Sequence, residues 1–250
     1  MSLNKYAQKI INKAAPDEDE TSMTIIHPEI YVRNRSLNLL VAKPGSGKST
    51  SICSELIKIS ALNIPENHLI IWVNNTSSDK TVDTYKKFIK IPIIMLDYET
   101  FEGIYPEFLK LKEEYVKMIT GKIAKDDSIL DALYINNWTK KPLQTIIVMD
   151  DAVGILKDTE SYLAKSLYRT RHSNTIFFIA LQIWKGITAQ LKSIINSVWI
   201  FSGFSPQILH HIYNQISTDV SYDEMKYNYD NLKKYQKLIV DNTTGEILVD

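Results

Sequence analysis

The sequence has a single cysteine, Cys53, among 250 residues. A lone thiol excludes an internal disulfide and suits a reducing compartment, and its expected role is that of a small buried residue. Charge imbalance is also missing, because 29 Lys plus Arg face 29 Asp plus Glu. No whole-molecule field therefore draws the chain to nucleic acid, and any such contact must come from a local patch. No apolar run approaches the roughly 18 residues that a membrane span needs. Met1 to Ala15 mixes Lys with Ile in a helical rhythm and lacks the continuous apolar stretch of a secretory leader, so a soluble, intracellular chain is expected. No internal repeat or low-complexity tract is present. Arginine is scarce, limited to Arg33, Arg35, Arg169 and Arg171.

What the chain does have is an alternation of apolar runs and helical segments. Asn4 to Ala14 reads as an amphipathic helix, Pro16 to Ser22 as an acidic linker, and Thr24 to Val32 as a short strand broken by His27-Pro28. Leu37 to Val41, His68 to Val73, Ile91 to Leu96, Leu143 to Asp151, Thr175 to Gln182 and Ser197 to Phe201 read as strands. The proline of Ile91-Pro92 suggests an edge strand. Between them, helices are expected over Lys48 to Ala61, Lys80 to Lys90, Glu160 to Thr170 and Ala189 to Ile195. Tyr98 to Lys141 is Lys/Glu-rich and helical, with Phe108, Leu111, Tyr115 and Met118 at helical spacing; it reads as a solvated insertion. After Pro206 a helix runs to about Ile216, followed by a charged, Tyr-rich stretch to Tyr235. Lys237 to Val240 and Glu246 to Val249 then form a terminal hairpin across Asn242-Thr-Thr-Gly245. The sum is an α/β fold with a mainly parallel central sheet flanked by helices and a C-terminal β-hairpin. Its parts are 1–23, a helix and acidic linker; 24–204, a phosphate-binding core; and 205–250, a helical extension with the hairpin.

The core is organised around Ala42-Lys-Pro-Gly-Ser-Gly-Lys-Ser-Thr50, which lies between a strand and a helix as a phosphate-binding loop requires. Small residues let the backbone wrap a phosphate, and N–H groups of Gly45, Gly47 and Lys48 point inward at a helix opening. Pro44, Gly45, Ser46, Gly47, Lys48, Ser49 and Thr50 are thus the candidate nucleotide contacts. Lys48 would neutralise the β- and γ-phosphates and Ser49 would be a Mg²⁺ ligand. Ala42 replaces the first glycine of the strict motif and does not suit a positive φ.

The second half of the site is Ile146 to Met149 followed by Asp150-Asp151, a buried strand ending in two carboxylates at the sheet edge where ligands of open parallel sheets bind. Asp150 would hold Mg²⁺ with Ser49, and Asp151 would polarise the attacking water. Gln182 ends the next strand at the same edge and could sense the γ-phosphate or that water. Arg169 and Arg171 lie on the loop entering the Gln182 strand. Either could reach a neighbouring subunit's γ-phosphate, or the pair could only favour a helix end.

Together Ala42 to Thr50, Ile146 to Asp151 and Arg171 to Gln182 resemble the FtsK-HerA superfamily of P-loop ATPases, and within it the small DNA-packaging ATPases of poxviruses, other large nucleo-cytoplasmic DNA viruses and virophages. The resemblance covers roughly Leu37 to Phe201. It implies a homo-oligomeric ring, pentameric or hexameric, that hydrolyses ATP with Mg²⁺ to move double-stranded DNA into a preformed capsid, with capsid vertex proteins as further partners. Many members carry Asp-Glu where this chain has Asp150-Asp151, and a basic residue where it has Ile183. Lys140, Lys141 and Lys185, flanking the two active-site strands, are candidates for the DNA-facing channel. The absence of an Asn-Lys-x-Asp motif disfavours a GTPase. The alternative is a small nucleotide or metabolite kinase, which needs an Arg-rich lid that this arginine-poor sequence does not supply. A scaffold that binds nucleotide only structurally is a third reading, under which Asp151 and Gln182 would be dispensable.

Overall fold

Eight apolar segments pair into one sheet in the computed structural model, which describes residues 31–32, 35–62, 68–76, 78–133, 144–152, 162–168, 173–184 and 187–250. In chain order the strands are β1 (Leu37–Val41), β2 (His68–Asn74), β3 (Ile93–Asp97), β4 (Gln144–Asp150), β5 (Thr175–Leu181), β6 (Ser197–Phe201), β7 (Lys237–Asp241) and β8 (Ile247–Val249). Their order across the sheet is β3-β2-β4-β5-β1-β6-β7-β8. The six strands from β3 to β6 are parallel, and β7 and β8 add antiparallel. The α/β expectation, with helices flanking a mainly parallel sheet and antiparallel strands closing the C-terminus, is met. β3 occupies the edge, as Pro92 at its start foreshadows.

The central strands are apolar at nearly every position because each face has its own helical layer. On one face Leu40, Ile70, Trp72, Ile146, Val148, Phe178 and Trp199 meet α1 (Lys48–Leu62) and α2 (Lys80–Tyr85), which bury Ile52, Cys53, Leu56, Val82 and Tyr85. A single 3-10 turn, Lys86–Phe88, finishes the segment expected as one helix from Lys80 to Lys90. Cys53 is buried as expected, and burial pushes its thiol far above the ordinary range.

Their alternating neighbours, such as Leu39, Ile71, Ile147, Phe177, Ile179 and Ile200, face the other layer. It contains α3 (Tyr98–Ile119), α4 (Asp127–Ala132), α5 (Tyr162–Leu167), α6 (Ala189–Lys192), α7 (Pro206–Tyr213) and α8 (Tyr222–Asp230). Here one expectation is corrected: α3 is not a solvated insertion. Phe101, Tyr105, Tyr115 and Met118 are buried against the sheet, with Phe108 and Leu111 partly buried beside them. The Lys/Glu content belongs to the outer face of an amphipathic helix. A second helix, α8, lies within the Tyr-rich stretch; Ser221 caps it by accepting from the Glu224 N–H at 3.3 Å, and Met225 and Tyr229 bury its inner face. The N-terminal helix, the acidic linker and most of the Thr24–Val32 segment lie outside the described residues.

One lysine of α3 is on the wrong side for a charge. Lys112 is buried on the apolar stripe, its ammonium donating to Thr175 Oγ1 at 3.1 Å and lying 5.9 Å from the Phe108 ring centre. Desolvation pushes its pKa from 10.5 down to about 7. The unfolded chain then holds more protons than the folded one between those values, so the Lys112 contribution to stability rises with pH across that window and is flat below it. We predict that Lys112→Met is more stable than the parent at pH 7 in urea denaturation. Its advantage should shrink toward pH 10, with a slope of at most about 1.4 kcal/mol per pH unit. An advantage independent of pH would mean that Lys112 keeps its charge in the folded state.

Candidate functional site

β5 lies between β1 and β4, so the C-terminal tips of the three strands emerge side by side. β1 runs into Ala42, which is fully buried and donates its N–H to Leu181 O at 3.0 Å. The left-handed positions fall on Gly45 (φ 74°) and Gly47 (φ 89°) and not on Ala42, which explains why the missing first glycine is tolerated. Ser46 closes the turn with Oγ donating to Lys43 O at 2.7 Å. The chain then enters α1, whose first-turn N–H groups have no partner within the helix and face outward as an anion-binding end. Lys48 donates its ammonium to Ala42 O (3.1 Å) and Lys43 O (3.4 Å), folded into the loop.

Across the gap, Ser49 Oγ donates to Asp150 Oδ2 at 2.9 Å. This bond joins the phosphate-loop helix to the tip of β4, two elements about a hundred residues apart in sequence. Asp150 is held from behind as well, because its carbonyl accepts from the Tyr98 hydroxyl at 2.7 Å. Tyr98 opens α3 directly after β3, where Asp97 caps the helix by accepting from Thr100 N at 2.7 Å. Asp151 follows with φ 61°, and Ala152 N then donates to Ala180 O at 3.2 Å. The chain thus turns sharply directly after Asp150. Gln182, half-buried, leaves β5 between the loop and this acidic tip.

Burial pushes the Asp150 carboxyl up; the Ser49 hydroxyl and Lys48 pull it back, while Asp79 and Asp151 push further up. Burial likewise pushes the Lys48 ammonium down, against the attraction of Asp150 and Asp151. For both partners desolvation outweighs their mutual attraction, so the pocket favours ligands that bring compensating charge to each. Ser49 and Asp150 offer two hard oxygens, the number that a Mg²⁺ retaining water and phosphate ligands takes from a protein.

Three neighbours were not singled out in the sequence. Asp79 caps α2, accepting from Thr81 N at 2.7 Å, and adds a third negative charge near Asp150. Its signal was available, since an Asp directly before a helical run is a cap. Tyr98 had a weaker signal in the Asp97-x-x-Thr100 cap. Tyr235 had none: a Cβ on Gly47 would sit 3.3 Å from its Cδ1, a contact only the fold creates. Arg169, Arg171, Lys140, Lys141 and Lys185, as well as Arg33, lie outside the described residues.

No protein-family model matches the chain, and no curated protein matches it in sequence. Solved structures do. The DNA-packaging ATPase B204 of Sulfolobus turreted icosahedral virus is 16% identical, covers 86% of this chain and 96% of its own, and superposes with a TM-score of 0.57. The genome-packaging NTPase B204 of Sulfolobus turreted icosahedral virus 2, in complex with AMPPCP, gives the same identity, coverage and TM-score. ATPases 2 and 3 of EssC from Geobacillus thermodenitrificans are 12% identical over 86% of this chain and 39% of that one, with a TM-score of 0.55. The chain therefore shares the fold of these B204 packaging ATPases and of the EssC ATPases.

The left-handed backbone at Asp151 yields a stability prediction. Asp and Asn tolerate this region, and β-branched residues do not. Asp151→Asn should leave thermal stability nearly unchanged, whereas Asp151→Val should lose about 1–2 kcal/mol. Equal stability of the two variants would contradict the sharp turn after β4.

Proposed function

We propose that this chain is a Mg²⁺-dependent ATPase motor that translocates double-stranded DNA as a homo-oligomeric ring, packaging a viral genome into a capsid through vertex proteins within the infected cell. The observation that carries the reading is the 2.9 Å bond from Ser49 to Asp150, which ties an anion-binding helix start to a carboxylate tip. The fold shared with the packaging ATPases supports the same reading.

In this account the phosphates lie against the N–H groups of the Gly45–Lys48 loop and the start of α1, with Lys48 swinging from the Ala42 and Lys43 carbonyls to the β- and γ-phosphate oxygens. Ser49 and Asp150 would hold Mg²⁺, which when bound would supply positive charge to the phosphate oxygens. Asp151 accepts a proton from the attacking water and Gln182 orients that water. A neighbouring subunit's Arg171, or Arg169, donates to the γ-phosphate, and Lys140, Lys141 and Lys185 face DNA in the central channel.

Two measurements test this reading. Lys48→Ala should lose both nucleotide binding and hydrolysis, whereas Asp151→Asn should keep Mg·ATP bound and lose turnover. Equal losses in both variants would reassign Asp151 to the metal. Hydrolysis should also rise with double-stranded DNA and depend on assembly. Mixing inactive Lys48→Ala and Arg171→Ala subunits should restore partial activity, because some interfaces pair an intact loop with an intact arginine. Loss of such a trans arginine costs about 10³- to 10⁵-fold in rate. A monomeric kinase would show no recovery and no response to DNA, and that result would overturn the motor.

A further inference from the structure

We propose that Tyr235 is the platform on which the base of the bound nucleotide stacks, making the site selective for purine over pyrimidine nucleotides. This rests on the nucleotide-binding reading above and assigns the end of the ligand that the phosphate loop does not touch.

The direction of the ligand follows from the sheet order. Asp150, Asp151 and Gln182 lie on the β5–β4 flank of β1, so the γ-phosphate end points there. The nucleoside leaves the start of α1 on the opposite flank, where β6 and β7 lie. The turn that feeds β7 brings Tyr235 to that place, its Cδ1 3.3 Å from where a Gly47 Cβ would stand.

A single exposed tyrosine on a protein surface needs no explanation. This one differs in how it is held. Its backbone is left-handed, φ 70°, a region that aromatic residues seldom occupy. The turn is closed by Gln236 N donating to Lys233 O at 3.0 Å and Lys233 N donating to Gln236 Oε1 at 2.7 Å. On its N-terminal side, the Tyr229 hydroxyl bolts α8 to the end of β6, donating to Phe201 O at 2.9 Å and accepting from Phe204 N at 2.8 Å. On the other side Lys237 and Asp250 exchange backbone bonds at 2.8 and 3.0 Å. Tyr235 nevertheless stays 53% exposed beside the phosphate loop, with the Lys234 ammonium over its ring, 4.8 Å from the centre. An aromatic ring carried by a braced turn next to a phosphate cradle suits a base, and the larger purine stacks better than a pyrimidine.

Calorimetry on the full chain with Mg²⁺ tests this with three probes: ADP, CDP and inorganic tripolyphosphate. Tyr235→Ala should weaken ADP binding roughly 5- to 100-fold while leaving tripolyphosphate within about twofold. The preference for ADP over CDP should collapse in the same variant. Tyr235→Phe and Tyr235→Trp should retain ADP affinity. Tyr235→Gly, which suits φ 70°, should lose it as Ala does, showing that the ring and not the backbone matters. Unchanged ADP affinity in Tyr235→Ala overturns the proposal, as does an equal loss of tripolyphosphate, which would mean that the ring only shapes the loop. A wild-type protein that binds tripolyphosphate but prefers no purine removes the platform alone. One that binds neither removes the nucleotide-binding reading with it.

Discussion

The bond from Ser49 to Asp150 is the constraint on which the rest of the site depends. It can form only if β1 and β4 end at the same level of the sheet with one strand between them, and β5 supplies that strand. The register Met149↔Ile179 and Leu39↔Ile179 fixes the level. The packing of two helical layers is thereby converted into the placement of a hydroxyl and a carboxylate to within hydrogen-bond range. α3 contributes from its core position, since the same helix that buries Phe101 and Tyr105 sends the Tyr98 hydroxyl to the Asp150 carbonyl.

Lys48 and Asp150 attract one another across the site. Here burial lowers Lys48 and raises Asp150 in spite of their attraction. A phosphate beside Lys48 and a cation beside Asp150, as the proposed ligand would bring, would offset the burial of both. The left-handed turn at Asp151 adds a local backbone cost at the same place.

Much of this was legible in the sequence for a physical reason. A strand buried on both faces is a continuous apolar run, and a loop that wraps phosphate needs glycine where φ is positive, so Leu37–Val41, Gly45, Gly47 and Asp150-Asp151 announce themselves. The solvated reading of α3 failed because Lys112 sits on its inner stripe and broke the apolar pattern, while Glu and Lys dominate its outer face. α8 was missed although Ser221-x-x-Glu224 marks its start, because only Met225 and Tyr229 supply its buried face. The approach of Tyr235 to Gly47 could not be read at all, since it depends on β7 adding to β6 and turning the chain back toward the loop.

The most direct test of the central claim is a double-mutant cycle on Ser49→Ala and Asp150→Asn, measured as nucleotide affinity with Mg²⁺ and again with EDTA. If the two side chains share a cation, each substitution weakens binding in Mg²⁺, the double variant is no worse than the weaker single one, and all four proteins bind alike in EDTA. Losses that add independently, or that persist undiminished without the metal, would contradict the account.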